Sequence, residues 1–133
     1  MLKIMFALLE HHEPASRSPA EGAPEGAGAV HWDLVVEVPG QERLATWRLS
    51  ENPIGTGAAI AAERIADHRR IYLEYEGPLS GGRGWVRRVD GGDAQLCISG
   101  DIEGQVLLEL RGHLLKGKFR LISAGLGLSF RRA

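Results

Sequence analysis

The sequence predicts a mainly β protein, a small closed or partly open antiparallel β-barrel with one or two short helices. Short segments in which apolar and polar residues alternate recur along the chain. Glycine accounts for 18 of the 133 residues, and one stands at nearly every predicted turn. A chain of this length fits a single domain, here 1–133, with an apolar core of its own. The formal net charge of −1 indicates no class of partner.

The first predicted strand covers residues 3–10 and ends at the pair His11 and His12. The segment 13–30 that follows consists mostly of Pro, Ala, Ser, Gly and Glu, and it offers almost nothing to bury. Such a composition predicts a flexible surface loop. We expect this loop to separate two strands of one domain rather than two domains.

The next predicted strand, 31–38, has two chemically different faces because side chains alternate along a strand. The apolar face consists of Trp32, Leu34, Val36 and Val38, and the other face consists of His31, Asp33, Val35 and Glu37. An imidazole nitrogen and a carboxylate oxygen on one face are suitable ligands for Mn²⁺ or Zn²⁺. A solvated polar face on a half-buried strand is the alternative interpretation. A turn at 39–42 and a strand at 44–49 complete a hairpin in which Trp47 belongs to the core.

The alanine-rich run 58–65 predicts a short helix within the segment 51–67 because of its residue propensity. After it, a glycine-rich bend at 80–84 permits a tight turn or a close approach to a ligand. The strands predicted next are 85–89, 94–99, 105–110, 114–122 and 126–131, with turns at 90–92, 100–104 and 111–112 and a bend or second turn at Gly117. Tryptophans in strands usually belong to the core, which is also the expectation for Trp32 and Trp85.

The cysteine usage and the N-terminal segment point to a cytoplasmic protein. The single cysteine, Cys97, lies in an apolar run, so we expect a small buried side chain and no internal disulfide. The apolar run 4–9 is too short for the core of a signal peptide or for a membrane span. We therefore expect no membrane association.

Arginine is in excess in one part of the chain. Between residues 64 and 88 lie six arginines and three acidic residues. Such an excess is typical of an anion-binding surface, although arginines that solvate one edge of a sheet would give the same pattern.

Four segments occur in an order and with a spacing that characterise one family. These segments are 6–11 (Phe-Ala-Leu-Leu-Glu-His), 31–34 (His-Trp-Asp-Leu), 67–77 with its Asp-His pair and Tyr72, and 110–119. Together they resemble the 3′-phosphoesterase domain of the bacterial DNA ligase D end-joining enzymes, and in particular small stand-alone relatives of that domain. The resemblance covers nearly the whole chain outside 13–30 and 51–62.

The resemblance implies an enzyme that trims phosphates and ribonucleotides from 3′ ends during DNA repair. In that family two histidines and an aspartate hold a divalent metal, usually Mn²⁺, which implies His11, His31 and Asp33 as ligands of Mn²⁺ or Zn²⁺ here. His12 is the alternative to His11. His68 and Tyr72 match the catalytic histidine and tyrosine. The partners implied are a nucleic-acid 3′ end, either DNA or DNA with a terminal ribonucleotide, and a separate ligase or polymerase.

This sequence departs from the family pattern at the position two residues after the aspartate. The family has a phosphate-binding arginine there, whereas this chain has Val35. Arg83, Arg48 or Arg69 is the expected substitute, because guanidinium groups bind phosphate well. A catalytically degenerate barrel that binds DNA ends or an end-joining partner is the alternative function. From the residues alone, a simple packing role for His68 and Tyr72 also remains an interpretation.

Overall fold

Eight antiparallel strands close into a barrel in the computed structural model, which describes residues 4–14, 28–99, 104–124 and 127–133. The strands are β1 (Ile4–His12), β2 (Val30–Val36), β3 (Leu44–Leu49), β4 (Ile60–His68), β5 (Gly77–Pro78), β6 (Trp85–Ser99), β7 (Gln105–Gly112), β8 (Lys116–Ala124) and β9 (Gly127–Arg132). Neighbours around the barrel follow the order β1-β2-β3-β4-β9-β8-β7-β6, and β6 pairs again with β1. The short strand β5 pairs with β6 outside this ring. The predicted mainly β barrel is therefore confirmed.

Strand β6 closes the barrel because it is long enough to pair with two strands. Its first part pairs with β1 and its second part pairs with β7. The predicted turn at 90–92 is wrong, since these residues lie inside the strand. Gly91 and Gly92 instead leave room for neighbouring groups that lie close to the backbone. A Cβ on Gly91 would collide with the Arg88 side chain, and a Cβ on Gly92 would collide with the Arg111 carbonyl.

The helix predicted at 58–65 is also wrong, because the chain there forms strand β4. The side chains of Ile60 and Ala62 are buried while those of Ala61 and Glu63 are exposed, which is the alternation of a half-buried strand. Pairing with β3 and β9 outweighs the helix propensity of the alanines. Within the described residues, helical structure is limited to two 3₁₀ turns, η1 (Arg70–Leu73) and η2 (Ser80–Gly82).

The barrel interior holds the main apolar core. Trp47 and Phe6 are fully buried there, which confirms the prediction for Trp47. The rings of Phe119 and Phe130 stack with their centroids 4.9 Å apart. Side chains of β1 to β4 and β6 to β9 contribute to this core, so it is shared by the whole barrel.

A second apolar cluster lies on the outside of the barrel, and we call it the outer cluster. It consists of Ala7, Leu9, Val35, Leu44 and Val86, and it is covered by Tyr72, Leu73, Tyr75 and Leu79. The segment 69–84, with both 3₁₀ turns, thus lies against the outer face of β1, β2, β3 and β6. Side chains on that face are consequently buried although they do not point into the barrel.

Two side chains expected in the core lie at the surface. Cys97 is exposed, because it falls on the outward side of β6. Trp85 remains 44% exposed at the start of the same strand, where its ring stacks on His12. Both positions follow an apolar pattern in sequence, and only the path of β6 around the barrel decides which side faces solvent.

Most of the predicted loop 13–30 and of the predicted turn 100–104 lies outside the described residues. The ends of the loop meet, since the Glu13 N–H donates to the Ala29 carbonyl at 2.9 Å. In the described part of the chain, no helix is long and apolar enough to span a membrane.

Asp90 holds the turn between β7 and β8 in place. Its carboxylate accepts hydrogen bonds from the backbone N–H groups of His113, Leu114 and Leu115 at 2.9, 2.9 and 2.6 Å. We expect Asp90→Asn to lower the free energy of unfolding by about 2 kcal/mol at neutral pH, because hydrogen bonds to a charged acceptor are lost. Urea unfolding of both proteins, with Glu76→Gln as an exposed control, measures this change.

The effect of Asp90 should depend on pH. Burial by itself would raise the pKa of this carboxyl, but the hydrogen bonds from the Leu115, His113 and Leu114 amides outweigh it, so the pKa is lowered. A lowered pKa in the folded state gives stability that is present above the unfolded pKa of about 3.9 and is lost as the pH falls through the folded pKa. The difference between wild type and Asp90→Asn should therefore shrink in acid, and a constant difference would contradict this account.

Candidate metal centre

Strands β1 and β2 bring two histidines together at one end of their pairing. His11 stands directly opposite His31 in the antiparallel register, and Leu9 stands opposite Asp33. All three polar side chains share the outer face of the barrel with the outer cluster, as the alternation along each strand requires. They are nearly buried, with exposed fractions of 8% for His11, 9% for His31 and 1% for Asp33.

The spacing of the ligand atoms suits a single cation. His31 Nε2 lies 2.9 Å from His11 Nδ1, and His11 Nδ1 lies 3.7 Å from Asp33 Oδ2. Two ligand atoms that each stand about 2.1 Å from an ion, at angles of about 90° to 110°, are about 3.0 to 3.4 Å apart. The two imidazoles therefore already lie close to the separation that a shared ion needs.

A hydrogen bond made by Nε2 of His11 leaves its Nδ1 as the nitrogen that can bind a metal. His11 Nε2 donates a hydrogen bond to the Arg83 carbonyl at 3.0 Å, which leaves the lone pair on Nδ1, facing His31 and Asp33. Metal-binding histidines usually donate their other N–H in this way. Gly84 permits the contact: its φ is +90°, and a Cβ there would collide with the His12 carbonyl. The predicted close approach at 80–84 is thus an approach to strand β1.

A carboxylate that sequence reasoning missed also faces the two histidines. Glu13 Oε1 lies 3.8 Å from His31 Nε2, and one ligand atom each from His11, Glu13 and His31 all lie within 4.8 Å of one another. Glu13 stands two residues after His11, a spacing that would have indicated the same strand face. Its position in the composition-biased loop concealed this signal. The third ligand position thus has two candidates, Glu13 and Asp33.

His12, the alternative to His11, belongs to a different group of side chains. Its Nε2 lies 2.5 Å from Glu10 Oε1, and its ring stacks on Trp85 with the centroids 3.8 Å apart. The hydrogen bond with His12 is the main reason why the pKa of Glu10 is lowered. Because successive side chains point to opposite faces of β1, His12 turns away from His31.

Asp33 lies close to two further basic side chains. Arg48 Nε lies 3.3 Å from Oδ1, and His68 Nε2 lies 3.8 Å from Oδ2. Burial would raise the pKa of Asp33, but the nearby His68 imidazole and Arg48 guanidinium outweigh it and lower the pKa. Burial and the same Arg48 charge also lower the pKa of His31. Both shifts favour the ionisation states that bind a cation, a carboxylate and a neutral imidazole.

A cavity of about 650 Å³ lies on the outer face of the barrel, next to the histidine pair. His11 and Asp33 line it, and so do all five residues predicted to act on substrate, namely His68, Tyr72, Arg83, Arg48 and Arg69. The rings of His68 and Tyr72 are in edge contact, with their centroids 5.4 Å apart. Arg43 lines the same cavity, and sequence reasoning did not identify it.

The arginine excess between 64 and 88 contributes only partly to this cavity. Arg69 and Arg83 line it, whereas Arg70 pairs with Glu37 and Arg87 with Glu10. Arg64 pairs with Asp67 at 2.7 Å, and Arg88 donates to the Leu73 carbonyl. Two of the six arginines are therefore placed for an anion in the cavity, and the others connect parts of the fold.

Val35 stands where the family resemblance would place a phosphate-binding arginine. Its side chain is fully buried in the outer cluster, beneath the segment that carries Tyr72. An arginine at this position would bury a guanidinium among apolar side chains, at a cost of several kcal/mol. In this chain the arginines that could bind a phosphate must therefore lie on other strands. By register, the nearest to the histidine cluster is Arg48, which stands directly opposite Asp33 on β3.

The site thus combines an imidazole pair and two nearby carboxylates, Glu13 and Asp33, with a cavity whose wall carries four arginines. Such a set can hold a divalent cation and an anionic ligand beside it. Comparison with known proteins adds no assignment, since no family model matches the chain and a search of curated proteins finds no match.

Proposed function

We propose that this protein is a metal-dependent phosphoesterase that removes phosphate or a terminal ribonucleotide from nucleic-acid 3′ ends, as a hydrolase of DNA end joining. The proposal depends chiefly on the convergence of His11 Nδ1 and His31 Nε2 beside carboxylates, at a cavity lined by arginines. The order of the sequence segments supports the 3′ end as substrate. Mn²⁺ is the proposed metal, with Zn²⁺ as the alternative.

The residues of this chain have distinct proposed roles toward a bound phosphate ester. His11, His31 and a carboxylate would hold a divalent cation, which would supply Lewis acidity toward a phosphoryl oxygen. Arg48 donates a hydrogen bond from Nε to Asp33 Oδ1. Its two terminal nitrogens have no hydrogen-bond partner among the described residues, so they can donate to the phosphate. Arg83 is held by hydrogen bonds to Ser80 at the cavity edge.

The role proposed for His68 is to assist the leaving group. One ring nitrogen, Nδ1, lies 3.0 Å from the Ala66 carbonyl, and Nε2 faces the cavity near Asp33. In the proposed hydrolysis, a water oxygen forms the new bond to phosphorus and the bond from phosphorus to the sugar 3′ oxygen breaks. The leaving 3′ oxygen takes a proton, either from Nε2 of a doubly protonated His68 or from the Tyr72 hydroxyl, and the proton lost by the attacking water restores that donor.

The test is release of phosphate from a 3′-phosphorylated oligonucleotide by protein loaded with Mn²⁺ or Zn²⁺. We expect release from the 3′-phosphate, no release from the same strand with a 5′-phosphate, and loss of activity on chelation. An oligonucleotide with a terminal ribonucleotide tests the second substrate. If the protein binds metal but releases neither phosphate nor a ribonucleotide from any of these strands, the proposal that it is an enzyme is wrong.

A non-catalytic barrel that binds DNA ends or an end-joining partner is the second candidate. One observation favours it: the position of the family arginine is a buried valine in the outer cluster. A binding module would retain a 3′-phosphorylated strand in the metal-loaded state without hydrolysing it. The same assay, run beside a binding measurement on the same strand, therefore separates the two candidates.

A further inference from the structure

Two arginines in the cavity lining have side chains with no hydrogen-bonded or ion-paired partner among the described residues. Arg43 and Arg69 both line the cavity and both are exposed. Across the described ranges, neither forms an ion pair, and Arg69 instead places its guanidinium 5.8 Å from the centre of the Tyr72 ring. Their charges are therefore available to a ligand.

The two arginines flank the end of a strand pair. Leu44 of β3 is the register partner of His68 of β4, and Arg43 and Arg69 are the residues immediately outside this last pair, before β3 and after β4. Two like charges near each other repel, and an anion bound by both would relieve this repulsion.

The other charged groups of the cavity wall already have partners. Arg48 pairs with Asp33, Arg83 donates to the carbonyl and hydroxyl oxygens of Ser80, and Asp67 pairs with Arg64. A cation on the histidine cluster would add positive charge next to these pairs. Arg43 and Arg69 are thus the cavity arginines whose side chains donate to no described residue, and they are separate from Arg48, which lies beside the proposed metal.

A pair of arginines alone does not make a site, as another pair in the same chain shows. Arg120 and Arg131 are register partners on β8 and β9, and both are exposed. They do not line the cavity. The argument for Arg43 and Arg69 therefore depends on their place in the cavity, next to His68, whose Nε2 lies 3.8 Å from Asp33.

We propose that Arg43 and Arg69 form a second anion subsite, which binds a phosphate adjacent to the one held at the histidine cluster. The inference rests on the proposed function and narrows its substrate to ligands that carry two phosphates. Two sources share this chemistry: a nucleoside 3′,5′-bisphosphate, and a strand whose 3′-terminal phosphate is followed by a phosphodiester. A monoester with one phosphate would leave the second subsite without a ligand.

The test measures binding rather than turnover. Calorimetry on Mn²⁺-loaded protein compares the affinities for three ligands: a nucleoside 3′-monophosphate, the 3′,5′-bisphosphate and a dinucleotide with a 3′-phosphate. Low temperature and a short incubation limit hydrolysis of these ligands during the measurement. We expect the second phosphate to tighten binding by about tenfold, and the gain to weaken with salt. The double variant Arg43→Gln/Arg69→Gln should lose this gain, so that it binds the 3′-monophosphate and the 3′,5′-bisphosphate with equal affinity.

The matched control is Arg120→Gln/Arg131→Gln, which removes the same charges from the pair outside the cavity and should keep the gain. Preference for the dinucleotide over the bisphosphate would support the strand as the source, and the reverse would support a free nucleotide. Equal affinity for ligands with one and two phosphates would overturn the second subsite and leave the proposed function in place. Failure of all three ligands to bind would overturn both, and a gain that survives in the Arg43/Arg69 variant would overturn the assignment of these residues.

Discussion

Replacement of His31 by alanine should weaken Mn²⁺ binding by at least about 100-fold. Loss of a group that merely orients a metal ligand already costs roughly 10- to 100-fold in affinity, so loss of a ligand should cost no less. His31 supplies one of the two imidazole nitrogens that lie 2.9 Å apart, and its neutral form is favoured by burial. His11→Ala should have the same effect, because His11 Nδ1 faces both His31 and Asp33.

Calorimetry with Mn²⁺ and with Zn²⁺ measures this change, and His12→Ala is the matched control. His12 is adjacent in sequence but engaged with Glu10 and Trp85, so its removal should leave metal affinity unchanged. Comparison of Glu13→Gln with Asp33→Asn identifies the third ligand as the carboxylate whose neutralisation costs more affinity. Equal loss in His12→Ala and His31→Ala would show that the cluster described here is not the metal site.

Strand geometry predicts only part of the histidine pair. Alternation places His31 and Asp33 on one face of β2, whereas His11 is expected as a ligand only from the family resemblance, and the structure puts it opposite His31. Which residue of β1 takes that place depends on register, and the sequence left His11 and His12 as alternatives. The register is set by the apolar side chains that must face the barrel interior, such as Phe6 and Leu8, and these determine that His11 faces outward.

The cavity could not be predicted because distant segments build it. Arg43 immediately precedes β3, and Arg69 immediately follows β4. Because the sequence predicts a helix where β4 forms, it contains no indication that these two arginines line one cavity. Glu13 lies at the edge of a loop whose composition indicates no structure. Long-range pairing of strands decided all of these positions, and residue propensity does not contain that information.

Replacement of His68 by alanine should lower the rate of phosphate release by about 100-fold or more, and it should weaken Mn²⁺ binding much less than His31→Ala does. A positioned acid or hydrogen-bond donor typically contributes 10²- to 10⁴-fold to such a reaction. The backbone holds His68 for this role, since Nδ1 lies 3.0 Å from the Ala66 carbonyl while Nε2 points toward Asp33 and the cavity. The His11 and His31 nitrogens, by contrast, face each other rather than His68.

Rates measured at saturating Mn²⁺ on a 3′-phosphorylated strand, together with calorimetry on the same protein, separate the two possible consequences of this substitution. His113→Ala is the matched control, because His113 is exposed in the turn held by Asp90 and does not line the cavity. A parallel loss of rate and metal affinity in His68→Ala would make His68 part of the metal site rather than a group that acts on substrate. An unchanged rate would leave His68 as a packing partner of Tyr72, and the leaving-group proton would then have to come from the Tyr72 hydroxyl, which Tyr72→Phe tests directly.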